Sequence, residues 1–262
     1  GSISVAAVGA TGAITSLMVN FFIGLSVGAG VTVAQFMGAR EEDAVRRTVH
    51  TAVLAALVSG LLLTVVGISF SEVLLRMMNT PEDVLPLSAV YMRIYFGGAT
   101  FTMLYNFCAS ILRAAGDTKS PLIFLTFAGV VNVILNYIMI YGKLGCPAMG
   151  VAGAAWATVC SQAVSGILCL VYMRKFELLH LQKEEWKLNG QIIGTLCGMG
   201  IPMGLQYSIT AIGGVVLQTA VNGLGVVTVA AITAAERLGG FCTGTVESLG
   251  ATMSTYVGQN IG

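Results

Sequence analysis

The stretch Ser4–Val8, SVAAV, recurs as Thr228–Ile232, TVAAI, and the stretch Ala34–Gly38, AQFMG, recurs as Gly258–Gly262, GQNIG. The offset is the same at both ends, from 4 to 228 and from 38 to 262, which is 224 residues without a gap. Each copy lies in one long apolar run, so the chain carries two copies of one long helix. Duplicated membrane helices are typical of secondary transporters.

The composition indicates a membrane protein. The 262 residues are 56% hydrophobic and 10% charged, with a mean hydropathy of +0.85, whereas soluble domains carry about 25% charged residues. We therefore expect an all-α, polytopic membrane protein that has the lipid bilayer as a partner. A net charge of +1 offers no basic surface for nucleic acid. The six cysteines show no metal-ligand spacing, and no His-Cys-Asp cluster suggests an enzyme or a cofactor.

Apolar runs long enough to cross a bilayer, about 20 residues each, predict seven transmembrane helices. They cover roughly residues 5–37, 48–70, 84–112, 121–141, 150–173, 190–222 and 227–260. Residues 80–83, Thr-Pro-Glu-Asp, predict a helix start, and Pro202 predicts a kink inside the sixth span.

Basic residues predict the orientation. Nine Lys and Arg lie on one set of alternate loops, and only Arg76 and Lys143 lie on the other. The positive-inside rule places the first set in the cytoplasm, with residue 1 outside and residue 262 in the cytoplasm. The two copies are the first and the seventh span, an even number of six steps apart, so they point the same way, as in a parallel repeat. We predict a first lobe over 1–173, a cytoplasmic linker over 174–189 and the start of a second lobe over 190–262.

Polar side chains recur every fourth residue on several spans, which places each set on one helix face. Such stripes avoid lipid, and either hydrogen bonds between helices or a shared hydrated cavity explains them. The candidates for lining a cavity are Asn106, Asn132, Asn136, Thr158, Gln206 and Thr210.

Charged residues inside spans are the candidates for ion coupling. Glu236 and Glu247 lie on the last span, and each can either carry a coupling ion or form a structural ion pair. Arg93 lies on the third span, where snorkelling to the outer boundary is the simplest interpretation.

Several segments together resemble the multidrug and toxic compound extrusion (MATE) family. They are VTVAQFMGAREEDAVRRTV (31–49), ILRAAGDTKSPLIF (111–124), NVILNYIMIYG (132–142), GVAGAAWATVCSQ (150–162) and GIPMGLQYSI (200–209). The resemblance extends over essentially the whole chain and maps it onto family helices two to eight, without the first helix and the last four. Many members carry a carboxylate at the position of Asn136, and some carry Glu at that of Thr210.

The resemblance implies a twelve-helix, two-lobe transporter in a bacterial inner membrane. It implies export of lipophilic cations in exchange for protons or sodium ions, with no oligomer required. Two alternatives stay open. A flippase for lipid-linked precursors would need a cationic cavity, for which only Arg93 and Arg237 offer charge inside the spans. The chain could also be an inactive fragment.

Overall fold

A computed structural model describes residues 2–78, 80–181, 189–222 and 226–261, and these residues are helical with no strand among them. The helices are α1 (Ser2–Gly38), α2 (Glu42–Met77), α3 (Leu85–Gly97), α4 (Ala99–Ala114), α5 (Lys119–Tyr141), α6 (Val151–Met173), α7 (Gly190–Asn222) and α8 (Val226–Ile261). A single 3₁₀ turn, Glu177–Leu179, follows α6. The all-α fold class is thereby confirmed.

The repeated segments form the two long helices α1 and α8. They begin at Ser2 and Val226, which are 224 residues apart, as the repeat requires. Their C-terminal ends lie together, since Gly38 packs against the backbone of Gln259. A Cβ atom placed on Gly258 would lie 3.3 Å from the Cβ atom of Ala34, which is its partner in the repeat. Two equivalent positions of the repeat therefore face each other across the contact between α1 and α8.

Five helices of the described chain are long and apolar enough to cross a membrane. They are Ile14–Gly38, Glu42–Met77, Lys119–Tyr141, Val151–Met173 and Gly190–Gly214. The other two predicted spans correspond to the α3–α4 pair and to α8, and as spans they stay predictions. Helix α7 continues through Pro202, so the proline does not end it.

The structure divides the span predicted over 84–112 at Gly98. There the amide donates to the carbonyl of Ile94 at 3.2 Å, as in a regular α-helix, and also to the carbonyl of Tyr95 at 3.1 Å, so the helical bond is shared between two acceptors. The hydroxyl of Thr64 on α2 donates to the carbonyl of Phe96 at 2.7 Å, so the kink carries its own hydrogen bond. Such inserted side chains are a recognised cause of helix kinks.

The helix start predicted at residues 80–83 is wrong by a few residues, because α3 begins at Leu85. The Pro81 carbonyl accepts hydrogen bonds from the amides of Val84 and Leu85, both at 2.9 Å. The Thr-Pro-Glu-Asp segment is therefore a turn that leads into α3.

Helices α1 and α7 cross at glycines on both sides. Gly24 packs against the backbone of Gly204, and Gly28 packs against that of Gly200. Glycines four residues apart on each helix let the two backbones approach closely, as in other membrane helix pairs. The predicted division at 174–189 stays a prediction, and residues 182–188 of that linker lie outside the described residues.

Candidate substrate-binding site

A chain of hydrogen bonds joins polar side chains of α5 and α6. The Asn136 amide donates to the Asn132 carbonyl oxygen at 2.9 Å, and the Asn132 amide donates to the Ser161 hydroxyl at 3.3 Å. Ser161 in turn donates to the backbone carbonyl of Thr158 at 2.8 Å. The sequence predicted three of these residues, and the structure brings them together through Ser161. We call these four residues the amide–hydroxyl network.

The network holds a free acceptor. In the described part of the chain, no hydrogen bond reaches the Asn136 side-chain oxygen, and Asn136 is only half-buried. A carbonyl oxygen in this setting can accept a hydrogen bond from a ligand or attract a positive charge. It cannot exchange a proton at any ordinary pH, because an amide does not titrate.

Gln162 supplies a second unsatisfied acceptor on α6, one turn beyond Thr158. Its side-chain oxygen is buried and has no hydrogen-bond partner among the described residues. Leaving such a buried acceptor unpaired costs about 1–3 kcal/mol of folding free energy. A water molecule or a ligand that donates a hydrogen bond to this oxygen would therefore bind favourably. Gln162 belongs to the polar stripe on α6, so its position on that face was predictable from the sequence. Its missing hydrogen-bond partner was not, because the sequence does not show which side chains bond to each other.

The remaining cavity candidates lie apart from the network. The Asn106 amide donates to the Thr102 carbonyl of its own helix at 2.8 Å. Gln206 and Thr210 are exposed on α7, where the Thr210 hydroxyl donates to the Gln206 backbone carbonyl at 2.9 Å. Within the described ranges, no hydrogen bond links these three residues to Asn132 or Asn136. Their role in a cavity stays a prediction.

The ion-coupling candidates lie on α8. Glu247 is exposed and has no ion pair in the described part of the chain. The side chain of Glu236 lies outside the described residues. Neither role, coupling or structural pairing, is decided by this placement.

Arg93 is part of an ion-pair cluster at the end of α2. Its guanidinium lies 3.3 Å from a Glu72 carboxylate oxygen, and Glu72 also pairs with Arg76 at 3.2 Å. Arg76 reaches Glu82 at 3.5 Å. Arg76, Arg93 and Glu72 are about half exposed and Glu82 is 87% exposed, so each pair contributes little to stability. Their charges are mutually compensated, and Arg93 is therefore not a free cation for an anionic substrate.

A methionine-lined cavity lies between α1, α7 and α8. Its volume is about 450 Å³, within the range of pockets for drug-sized ligands. Met199, Met203 and Met253 supply flexible apolar surface, and Gln35 and Ser254 are its polar side chains. Methionine adapts its shape to varied ligands. The sequence does not single out these methionines, because methionine on an apolar helix usually indicates packing.

Long apolar helices, an internal helix repeat and a network of neutral polar groups between two helices define a polytopic membrane protein of the transporter type. Comparison with known proteins agrees. The MatE family matches residues 1–138, and the chain belongs to this family.

Two relatives and one solved structure illustrate the match. "Probable multidrug resistance protein YoeA" of Bacillus subtilis is 29% identical over 263 residues, which is 99% of this chain and 57% of that protein. "Probable multidrug resistance protein YpnP" of the same organism is 35% identical over 199 residues, which is 75% of this chain and 43% of that protein. The structure "Crystal structure of MATE in the bent conformation" has a TM-score of 0.87 at 24% identity, and the match covers 100% of this chain and 59% of that one. The chain spans about half the length of the curated relatives it matches.

Proposed function

We propose that the protein exports lipophilic cations across a bacterial inner membrane in exchange for protons or sodium ions. The observation that carries this proposal is the amide–hydroxyl network, which presents the free Asn136 oxygen on a half-buried surface. A neutral oxygen attracts a cation without the large cost of desolvating a carboxylate. The relatives named as probable multidrug resistance proteins support the same function.

The substrate's apolar part needs a separate surface. The methionine-lined cavity has the volume and the adaptable lining for varied lipophilic groups. Its position between the two repeated helices suits alternating access, in which one repeat moves against the other around the site. We therefore assign the cationic group to the network and the lipophilic body to the inner apolar surfaces.

The coupling ion requires a group that can change its charge. Asn136 cannot do this, so Glu247 and Glu236 remain the candidates on α8. We propose Glu247, because it lies on α8, a predicted span, without an ion-pair partner in the described part of the chain. Arg93 does not offer the free positive charge that a flippase for anionic lipids would need, since it pairs with Glu72. The side chain of Arg237, the other candidate, lies outside the described residues.

Binding of a fluorescent lipophilic cation, ethidium, to the purified protein in detergent tests the proposal. Asn136→Leu removes one neutral hydrogen bond or dipole contact, worth about 0.5–1.5 kcal/mol, and should weaken binding roughly 2- to 13-fold. Thr126→Val is the matched control, because Thr126 lies on α5, is exposed and bonds only to the Leu122 carbonyl of its own helix, at 2.9 Å.

The result must distinguish binding from packing. If Asn136 merely supports Asn132, which bonds to Ser161 on α6, then Asn136→Leu would lower the melting temperature while the surviving protein bound ethidium normally. Unchanged affinity in Asn136→Leu would therefore contradict the proposed site. Asn136→Asp should keep or strengthen cation binding and should make it depend on pH.

A further inference from the structure

A basic pocket lies where α6 ends beside the start of α2. Its volume is about 410 Å³, and Arg46, Arg174, Lys175, Glu177 and His180 line it. Three permanent cations face one carboxylate, and none of these side chains has an ion pair in the described part of the chain. A pocket with this excess of positive charge suits an anionic group.

Arg46 is the one half-buried side chain that lines the pocket, whereas the other four are exposed. It belongs to the second turn of α2 and is half-buried, and its Nε atom is buried without a hydrogen-bond partner among the described residues. Guanidinium groups bind phosphate through paired N–H donors. The guanidinium that lines the pocket therefore has donor capacity that the protein leaves unused, although its Nε atom is itself buried.

The opposite wall is held in place by the protein core. The side chain of Leu179, in the 3₁₀ turn after α6, is 1% exposed and joins the core that contains residues of α2. Met173, the last residue of α6, is also 1% exposed. These anchors fix the segment that carries Arg174 and Lys175. The pocket is thus formed before any ligand arrives.

An apolar stripe leads along α6 to the pocket. Ile167 and Val171 are 49% and 54% exposed, and with Arg174 they follow the helical spacing of one face. The aromatic rings of Tyr172 and Phe176 lie beside this point, with their centroids 5.8 Å apart. Tyrosine at the end of a membrane helix marks the headgroup level. An exposed apolar stripe that ends in cations matches an acyl chain below a charged headgroup.

We propose that this pocket binds the headgroup of an anionic phospholipid of the cytoplasmic leaflet, with an acyl chain along Ile167 and Val171. The predicted orientation places the pocket at that leaflet, where anionic lipids attract basic residues. The site lies apart from the amide–hydroxyl network and from the methionine-lined cavity. It would tie the end of α6 to the start of α2 at the membrane surface.

Lipid binding to the purified protein, measured by native mass spectrometry, tests the proposal. The probes are phosphatidylglycerol and phosphatidylcholine with identical acyl chains, and inorganic phosphate as a competitor. The wild type should prefer phosphatidylglycerol. Arg174→Gln should reduce this preference about fivefold, the effect of one basic residue near an anionic membrane surface, and Arg46→Gln should reduce it at least as much.

Arg47→Gln is the matched control. It removes the same charge from α2 one residue away, but Arg47 is exposed and lines a different pocket together with Glu41 and Asp43. This variant should leave the preference unchanged. The proposal is overturned if Arg47→Gln has the same effect as Arg174→Gln, if phosphatidylcholine binds equally well, or if millimolar inorganic phosphate displaces the lipid. Arg174 is exposed, so Arg174→Gln gives a result even if Arg46→Gln fails to fold.

Discussion

The crossing of α1 and α7 offers the sharpest test of the structure, through Gly28→Ala. A Cβ atom at Gly28 would lie 2.5 Å from the Gly200 nitrogen, 2.6 Å from its Cα atom and 3.0 Å from the Leu196 carbonyl oxygen. Ordinary contact begins at 3.4 Å, so the shortest of these is about 0.9 Å too close. All three obstacles are backbone atoms, and a side-chain rotation cannot relieve them. The two helices must therefore move apart.

The expected cost follows from two opposing effects. Overpacking of a tight contact typically costs about 1–3 kcal/mol. Alanine in place of glycine inside a helix returns up to about 1 kcal/mol through its higher helix propensity. With the full return, the net loss should be about 0–2 kcal/mol, or a fall of up to about 8 °C in melting temperature for a chain of this size. Relative to the same substitution at a glycine in open space, the full overpacking cost of about 1–3 kcal/mol should appear.

The control is Gly12→Ala on the same helix. A Cβ atom at Gly12 would meet nothing within 4 Å, so this variant should be neutral or more stable than the wild type. Melting temperatures in detergent, followed by the loss of monodisperse protein on a sizing column, give the comparison. The reasoning is refuted if Gly28→Ala is as stable as Gly12→Ala, because the close crossing would then not exist. Gly200→Ala should behave like Gly28→Ala, since its Cβ atom would lie 2.8 Å from the Leu25 Cα atom.

Three further predictions concern the kink, a helix cap and the orientation. Thr64→Val should cost about 1–3 kcal/mol of stability, because the carbonyl at the kink loses its donor; an unchanged melting temperature would show that the kink does not need this bond. Burial raises the pKa of Asp117, but hydrogen bonds from the Ser120 hydroxyl and amide and other donors outweigh it, so the pKa lies below its usual value. The stability that the ionised Asp117 contributes is complete above its unfolded-state pKa of about 3.9 and is lost as the pH falls through its lower pKa in the folded protein. Asp117→Ala should therefore cost about 0.5–2 kcal/mol of stability at neutral pH. In thermal melts, the difference in melting temperature between wild type and variant should shrink in acid; a difference that does not change with pH would show that the ionised carboxylate is not what stabilises the start of α5. In a background without native cysteines, an impermeant thiol reagent should label Lys143→Cys from outside but not Arg47→Cys, and the reverse pattern would invert the topology.

Helix positions were largely predictable from the sequence, because long apolar runs leave few alternatives in a membrane protein. The bounds of α7, 190–222, were predicted to the residue, and the apolar run over 227–260 predicted α8 to within a residue at each end. The kink at Gly98 was missed, since a glycine inside an apolar run is equally compatible with a straight helix. The kink is accompanied by the hydrogen bond from the Thr64 hydroxyl to the Phe96 carbonyl, and Thr64 is distant in sequence from Gly98.

The candidate site was predictable only in part. Spacing placed Asn132 and Asn136 on one face of α5, and the structure shows them bonded to each other. The link to Ser161 on α6 depends on the rotation of two helices against each other, which periodicity within one helix does not determine. For the same reason, the partner of Arg93 could not be inferred, because Glu72 belongs to another helix.

The contact between Ala34 and Gly258 shows what a duplicated chain can do that a symmetric dimer cannot. In a dimer of identical lobes, the residue on the two-fold axis would touch its own copy, so both sides would carry the same side chain. With both copies in one chain, the two positions can differ, and here a methyl group on one helix faces a bare backbone on the other. The contact between the two equivalent positions therefore holds one methyl group instead of two, and the helices can approach more closely than two alanines would permit.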